Sequence, residues 1–196
     1  MARSETAGAA IKREWRTSWR IIGVTLAILW ATELVDQLAF HGALDAYGVH
    51  PREASGLVGV LTHPFLHGGF DHLLSNSVGI IGLGWLVVAR GVRRWVAVTL
   101  AGVLLGGLGM WALGQPGSVH IGASGVVFAY FGYLLFAGLF ERSFGAILMS
   151  VVVGLLYGGM LFGVLPGQLG ISWEGHLFGF LGGALTAWLL ARRQQR

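Results

Sequence analysis

The chain has 196 residues, of which 55% are hydrophobic and 11% are charged, and its formal net charge is +4. This composition excludes an ordinary soluble domain, in which charged residues make up about 25%. Because the sequence contains no cysteine, disulfides, thiolate catalysis and cysteine-based metal sites are excluded as well. Its 33 glycines favour helices whose backbones approach one another closely in lipid. We therefore expect one compact, multi-pass membrane unit.

Residues 1–20 form a basic segment that also carries Trp15 and Trp19. Such a segment suits a membrane surface, and we interpret it as a cytoplasmic anchor. A signal peptide is the main alternative, but the following apolar run continues to about residue 40 and lacks a convincing small-residue cleavage site.

Six apolar segments follow, each near the ~20 residues that a bilayer requires. They lie at about 21–40, 72–89, 95–114, 122–140, 144–164 and 175–191. They predict an all-α membrane protein, with a six-transmembrane-helix bundle over residues 21–191 and a cytoplasmic tail at 192–196.

The basic residues predict the orientation of this bundle. If both termini are cytoplasmic, twelve of the thirteen basic residues lie inside and only Arg52 lies outside, as the positive-inside rule requires. This distribution accounts for the net positive charge and leaves no basic patch for nucleic acid. We expect an integral protein of a bacterial cell membrane, with the lipid bilayer as its surroundings.

The long outer connection from about residue 41 to 70 contains prolines, serines and glycines that favour irregular backbone. Just before it, Glu33 and Asp36 are interpreted as residues of the headgroup layer, the alternative being hydrogen bonds to the outer loop.

Polar side chains from three distant segments are expected at a similar depth in the outer half of the membrane. They are His72 and Asn76, Ser124, and His176. Polar groups within membrane helices are functional candidates by default. His72 and Asn76, spaced i, i+4, share one helix face and could stabilise an oxyanion, or could simply join two helices. Ser124 could be a nucleophile with His176 as its base, although an isolated serine or histidine is more often structural.

Two rows of small residues would let the fourth and sixth segments approach closely. One row is Gly175, Gly179 and Gly183, and the other is Gly125, Ala129 and Gly132. Close approach would bring the short side chains of Ser124 and His176 within hydrogen-bond reach.

Three motifs in this order resemble the signature elements of rhomboid intramembrane serine proteases. They are HLLSN at 72–76, GASG at 122–125 and GHLFGFLGG at 175–183, and His63 and His67 lie where rhomboids often carry further histidines. The resemblance implies a serine endopeptidase that uses a Ser–His dyad, without a cofactor, to cleave transmembrane segments of membrane proteins near the outer membrane face.

The resemblance also implies individual roles. Ser124 would be the nucleophile and His176 the general base, while His72, Asn76 and the Ser124 amide would stabilise the oxyanion. Gly122 would begin the serine turn. Phe128 stands where well-known members have a tyrosine, and its ring would still pack against His176.

Other interpretations remain open from the sequence. A zinc hydrolase could use several of the histidines, but there is no HExxH pattern and Pro64 interrupts the pair His63 and His67. Glu174 could be proposed as a triad acid, although a position at the rim of the membrane fits it better. A catalytically silent rhomboid-like protein, which binds transmembrane segments for trafficking or degradation, is the alternative from another class.

Overall fold

The computed structural model describes residues 7–168 and 170–194. Arg3 and Arg196, which belong to the predicted cytoplasmic ends, lie outside the described residues. The α-helices of the described part are α1 (Ala7–Val35), α2 (Gly59–Thr62), α3 (Phe70–Gly79), α4 (Trp85–Ala89), α5 (Val92–Leu113), α6 (Ser124–Glu141), α7 (Phe144–Tyr157) and α8 (Trp173–Gln194).

Helices of other types extend or connect these elements. Two π-helical turns, Asp36–Phe40 and Ile80–Gly84, continue α1 and join α3 to α4. The 3₁₀ helices are Ala43–Tyr47, Ser55–Leu57, His63–Phe65 and Gly158–Val164. Within the described ranges there is no β-strand, and a single antiparallel bridge pairs Val49 with His120.

Five helical segments of the described residues are long and apolar enough to cross a membrane. They are Lys12–Phe40, Phe70–Ala89, Val92–Leu113, Ser124–Glu141 and Phe144–Val164. They agree with five of the six predicted segments. The sixth, α8, has 22 residues and would measure about 33 Å, but its glycines and polar ends lower its hydropathy and it is not among the five.

The serine helix α6 lies at the centre of the bundle, where it packs against α5, α7 and α8. Its residues are apolar on nearly every side, and twelve of its eighteen residues are buried, as expected for a helix surrounded by others. Helix α7 is peripheral and exposes Phe144 at 83% and Leu155 at 81%. Large apolar side chains in contact with the surroundings are typical of a protein surface that faces lipid.

Two helices differ in extent from the apolar segments identified in the sequence. Helix α1 begins at Ala7 and therefore includes much of the segment that was expected to precede the first span. Helix α6 begins at Ser124 rather than at residue 122, because Gly122 has a φ of 111°, outside the helical region.

The connection between the first and second spanning segments is irregular, as predicted, but the interpretation of its acidic neighbours is wrong. Glu33 and Asp36 are only 1% and 2% exposed. The Asp36 carboxylate accepts a hydrogen bond from the Leu44 amide at 3.0 Å. Asp36 therefore holds the start of this connection instead of facing the lipid headgroups.

Candidate active site

The backbone before Ser124 is held by a histidine of the connection between α2 and α3. The Gly122 amide donates to the His63 carbonyl at 2.8 Å, and His63 Nδ1 lies 3.1 Å from the Gly122 carbonyl. His63 Nε2 approaches a second carbonyl, that of Val103, at 3.3 Å. Because His63 is fully buried, burial lowers its pKa to about 4. These contacts fix the turn that leads into the serine helix.

Ser124 and His176 lie within hydrogen-bond distance. Their Oγ and Nε2 atoms are 2.8 Å apart, while His176 Nδ1 lies 3.0 Å from the Gly163 carbonyl oxygen. A carbonyl oxygen can only accept, so Nδ1 must carry the proton of a neutral imidazole. Nε2 is then unprotonated and accepts a hydrogen bond from the serine hydroxyl, which is the arrangement that a general base requires.

The ring of Phe128 lies flat against the imidazole of His176. The ring centroids are 4.1 Å apart and the planes differ by 12°. Gly163 lies against both rings, since a Cβ atom there would be 2.9 Å from Phe128 Cζ and 3.3 Å from His176 Nδ1. Stacking on Phe128 therefore sets the plane of the imidazole, and the hydrogen bond to the Gly163 carbonyl sets its rotation within that plane.

The helix that carries His176 crosses the serine helix at glycines. A Cβ atom at Gly179 would overlap the carbonyl oxygen of Gly125, and one at Gly183 would overlap that of Ala129. These two contacts agree with the predicted close approach of the small-residue rows. Gly175 faces a different helix, because a Cβ atom there would lie 2.7 Å from the sulfur of Met110 on α5.

His72 and Asn76 border Gly122 from α3. A Cβ atom at Gly122 would lie 2.7 Å from His72 Nε2 and 3.4 Å from Asn76 Nδ2, so only glycine leaves room for both side chains. The Gly68 amide donates to His72 Nδ1 at 3.4 Å. In a neutral His72 the proton is therefore on Nε2, beside the serine turn.

Asn76 is 6% exposed, and its Nδ2 is buried without a hydrogen-bond partner among the described residues. A buried amide donor usually has a partner, because leaving it unpaired costs about 1–3 kcal/mol. An unpaired donor beside Gly122, two residues before Ser124, is therefore a feature suited to a ligand oxygen. The Ser124 amide belongs to the first turn of α6, where N–H groups have no intrahelical partner.

The remaining histidine of this region also contacts the serine turn. His67 Nε2 accepts a 3.4 Å hydrogen bond from the Ala123 amide, and its ring meets that of His72 edge to face at 5.1 Å. Burial, with a smaller effect of His72, lowers the pKa of His67 to about 4. In the described part of the chain, His, Asp and Glu side chains form no group of three placed to hold a metal ion.

The predicted site residues thus converge from three helices and from the connection that precedes α3. Glu174 is 6% exposed, and the partner of His176 Nδ1 is the Gly163 carbonyl and not a carboxylate. The sequence did not indicate Gly163, because its contact with His176 is made by a backbone carbonyl, which every residue type has. Sequence reasoning also missed His120, a polar residue four positions before Ser124.

The long apolar helices define a helical, multi-pass membrane protein, in which two helices bring a serine and a histidine together. The family model of the rhomboid domain matches residues 54–193. The chain belongs to the rhomboid family.

Several relatives of this chain are bacterial proteins. The chain is 39% identical over 193 residues to an uncharacterised protein of Mycobacterium tuberculosis (strain H37Rv), covering 92% of this chain and 80% of the relative. An uncharacterised protein of Mycobacterium leprae (strain TN) is 36% identical over 92% of this chain and 76% of its own length. The Bacillus subtilis (strain 168) protein YdcA, named as a candidate rhomboid protease, is 32% identical over 70% of this chain and 69% of its own length.

Proposed function

We propose that this protein is an intramembrane serine endopeptidase that cleaves transmembrane segments of other membrane proteins. The observation that carries the proposal is the 2.8 Å contact between Ser124 Oγ and His176 Nε2, with the tautomer of His176 fixed by a carbonyl that can only accept. A serine with an oriented neutral base has the two parts that nucleophilic catalysis needs.

In the proposed reaction, Ser124 Oγ attacks the carbonyl carbon of the scissile peptide bond while its proton passes to His176 Nε2. The oxyanion accepts hydrogen bonds from the Ser124 amide, His72 Nε2 and Asn76 Nδ2. The carbon–nitrogen bond then breaks as Nε2 returns the proton to the leaving amine. Water, deprotonated by the same nitrogen, hydrolyses the acyl-enzyme and frees Ser124.

The substrate must offer an accessible peptide bond at the depth of Ser124. A regular transmembrane helix shields its peptide bonds, so the substrate has to unwind locally. We expect cleavage near the outer end of a transmembrane segment, after a small residue and close to helix-weakening glycine or proline. A bulky residue before the scissile bond should slow cleavage.

The proposed topology has six spans, with α8 as the sixth and both termini in the cytoplasm of a bacterial cell. It is supported by the five long apolar helices, by the length of α8 and by the distribution of basic residues. In this orientation the first turns of α3, α6 and α8 share the outer half of the membrane.

The test is covalent labelling and cleavage by the purified protein. A fluorophosphonate should label the wild type, and the protein should cleave a model transmembrane substrate in liposomes with or without a chelator. Ser124→Ala should lose both activities and His176→Ala should lose nearly all of both, because the two residues act as a unit. Asn76→Ala should be milder, with a loss of about 10²- to 10³-fold at most, since the other donors remain.

Ser18→Ala is the matched control for removing a serine hydroxyl. Ser18 is also buried, and it donates to the Glu14 carbonyl at 2.9 Å in α1, away from the candidate site. This variant should cleave normally. Cleavage retained in Ser124→Ala, or lost on addition of a chelator, would refute the serine mechanism. Binding of transmembrane segments without cleavage or labelling would favour a silent rhomboid-like protein.

A further inference from the structure

His120 joins three parts of the chain on the outer side of the candidate site. It lies in the connection between α5 and α6, four residues before Ser124. Its backbone pairs with Val49 of the first outer connection through two hydrogen bonds of 2.9 and 3.0 Å. Its side chain is 9% exposed and points to a third part, the residues just before α8.

Both ring nitrogens of His120 contact serine hydroxyls. Nε2 lies 2.8 Å from Ser118 Oγ and Nδ1 lies 2.6 Å from Ser172 Oγ. Ser118 donates its only hydroxyl proton to the Gln115 carbonyl at 2.6 Å, so it must accept from Nε2–H. In a neutral imidazole, Nδ1 then accepts the hydroxyl proton of Ser172. The hydrogen bonds are complete without a charge, and burial, which lowers the pKa of His120, favours this neutral form.

The hydrogen bond between His120 and Ser172 lies next to the helix that carries His176. Ser172 immediately precedes α8, and its carbonyl accepts a 3.1 Å hydrogen bond from the His176 amide. His120 stands four residues before Ser124, and Ser172 stands four residues before His176. The same two segments are therefore joined twice, once by His120 and Ser172 and once by Ser124 and His176. Two separate contacts restrict both the distance and the relative rotation of the segments.

We propose that His120 and Ser172 form a positioning pair that holds the base His176 at bonding distance from the nucleophile Ser124. This inference rests on the proposed protease function. Neither residue of the pair touches the reacting atoms. Both act on catalysis through the first turn of α8.

The decisive variant is Ser172→Ala, which removes one hydroxyl and leaves the His120 backbone pairing intact. We expect kcat to fall about 10- to 100-fold, as for a misplacement near 1 Å, with KM within about threefold of the wild type. The rate of fluorophosphonate labelling should fall by a similar factor. Labelling measures the alignment of Ser124 with its base and does not depend on binding of a transmembrane substrate.

Substitutions at His120 separate positioning from simple loop stabilisation. His120→Leu removes the acceptor for Ser172 and should lose as much labelling rate as Ser172→Ala, and the double variant should be no worse than either single one. His120→Asn places an amide oxygen near the position of Nδ1 and should recover part of the rate.

Two variants serve as controls. Ser118→Ala removes the other partner of His120, but either tautomer of the imidazole retains a bond to Ser172, so the labelling rate should stay near that of the wild type. Thr186→Val removes a buried hydrogen bond within α8 itself, from Thr186 Oγ1 to the Gly182 carbonyl at 2.8 Å. It should lower thermal stability without slowing labelling.

The outcomes distinguish this proposal from the proposed function. If the wild type neither cleaves nor labels, the protease function fails. If the wild type cleaves and labels but Ser172→Ala labels at the same rate, only the positioning pair is refuted. Equal losses in Ser172→Ala and Thr186→Val would also overturn it, because they would reflect general weakening of α8.

Discussion

A single methyl group added at Gly179 tests whether the crossing of α6 and α8 sets the geometry of the candidate site. Gly179 faces the backbone of Gly125, the residue after Ser124. A Cβ atom at Gly179 would overlap the Gly125 carbonyl oxygen and lie 2.9 Å from its carbonyl carbon. Because both obstacles are backbone atoms, no change of side-chain rotamer can relieve the overlap, and the two helices must separate.

The size of the effect follows from these contacts. Nonbonded carbon atoms prefer separations of about 3.5–4.0 Å, so the two backbones must move apart by at least about 0.6 Å. Overpacking of this kind costs about 1–3 kcal/mol of stability. Since a misplacement of ~1 Å can cost about 10²-fold in rate, we expect Gly179→Ala to cleave about 10- to 100-fold more slowly.

The assay compares Gly179→Ala with Gly23→Ala in liposomes, measuring substrate cleavage, fluorophosphonate labelling and thermal unfolding. Gly23 lies within α1, and a Cβ atom there would meet nothing within 4 Å. Alanine at this open helical position should leave activity unchanged and should stabilise the helix by about 0.5–1 kcal/mol. If Gly179→Ala labels and cleaves at the wild-type rate, the crossing does not control the distance from Ser124 to His176.

Three further predictions concern topology, pH and the stacked ring. Reporter fusions at Arg94 and at the C-terminus should report the cytoplasm, and one near Asp45 should report the outside; a C-terminal fusion reporting the outside would contradict the six-span topology. Thermal unfolding should shift to lower temperature as the pH falls from about 6.5 toward 4, because the lowered pKa of His63 means that the unfolded chain binds that proton first. The slope from this group should approach 1.4 kcal/mol per pH unit, and a His63→Gln variant with an unchanged slope would contradict the assignment. Phe128→Leu should lower kcat about tenfold or more while Phe128→Tyr retains more activity, because only tyrosine keeps a ring against His176; equal rates would show that stacking does not orient the base.

The parts of the fold that could be predicted depend on local sequence signals. Apolar segments of sufficient length predicted the five spanning helices, because lipid requires each segment to satisfy its own backbone hydrogen bonds. The small residues Gly125, Gly179 and Gly183 predicted the close helix crossing, since only small side chains allow it. The stacking of Phe128 on His176 was implied by the rhomboid resemblance and is present in the structure.

The parts that could not be predicted depend on contacts between distant residues or on backbone atoms. The bond from Ser172 to His120 joins residues 52 positions apart that follow no periodic pattern. The Asp36 carboxylate bonds a loop amide, and a carboxylate near a helix end is equally compatible with a headgroup position. The start of α6 depends on the φ angle of Gly122, whose side-chain neighbours on α3 are not evident from the GASG motif alone.

The carbonyl of Gly163 explains how the imidazole of His176 can be oriented without a third acidic residue. In a Ser–His–Asp triad the carboxylate selects the tautomer of histidine and stabilises the imidazolium. A carboxylate placed directly against the imidazole would add a charge that is costly to bury inside a membrane bundle. The Gly163 carbonyl lies in the 3₁₀ segment after α7 and reaches His176 Nδ1 at 3.0 Å, so it selects the same tautomer without that charge. It stabilises the imidazolium less than a carboxylate would, because it contributes a dipole and no net charge. In the proposed mechanism, Phe128, the Gly163 carbonyl and the close helix crossing therefore share the orientation of the base, a function that a triad assigns mainly to one buried carboxylate.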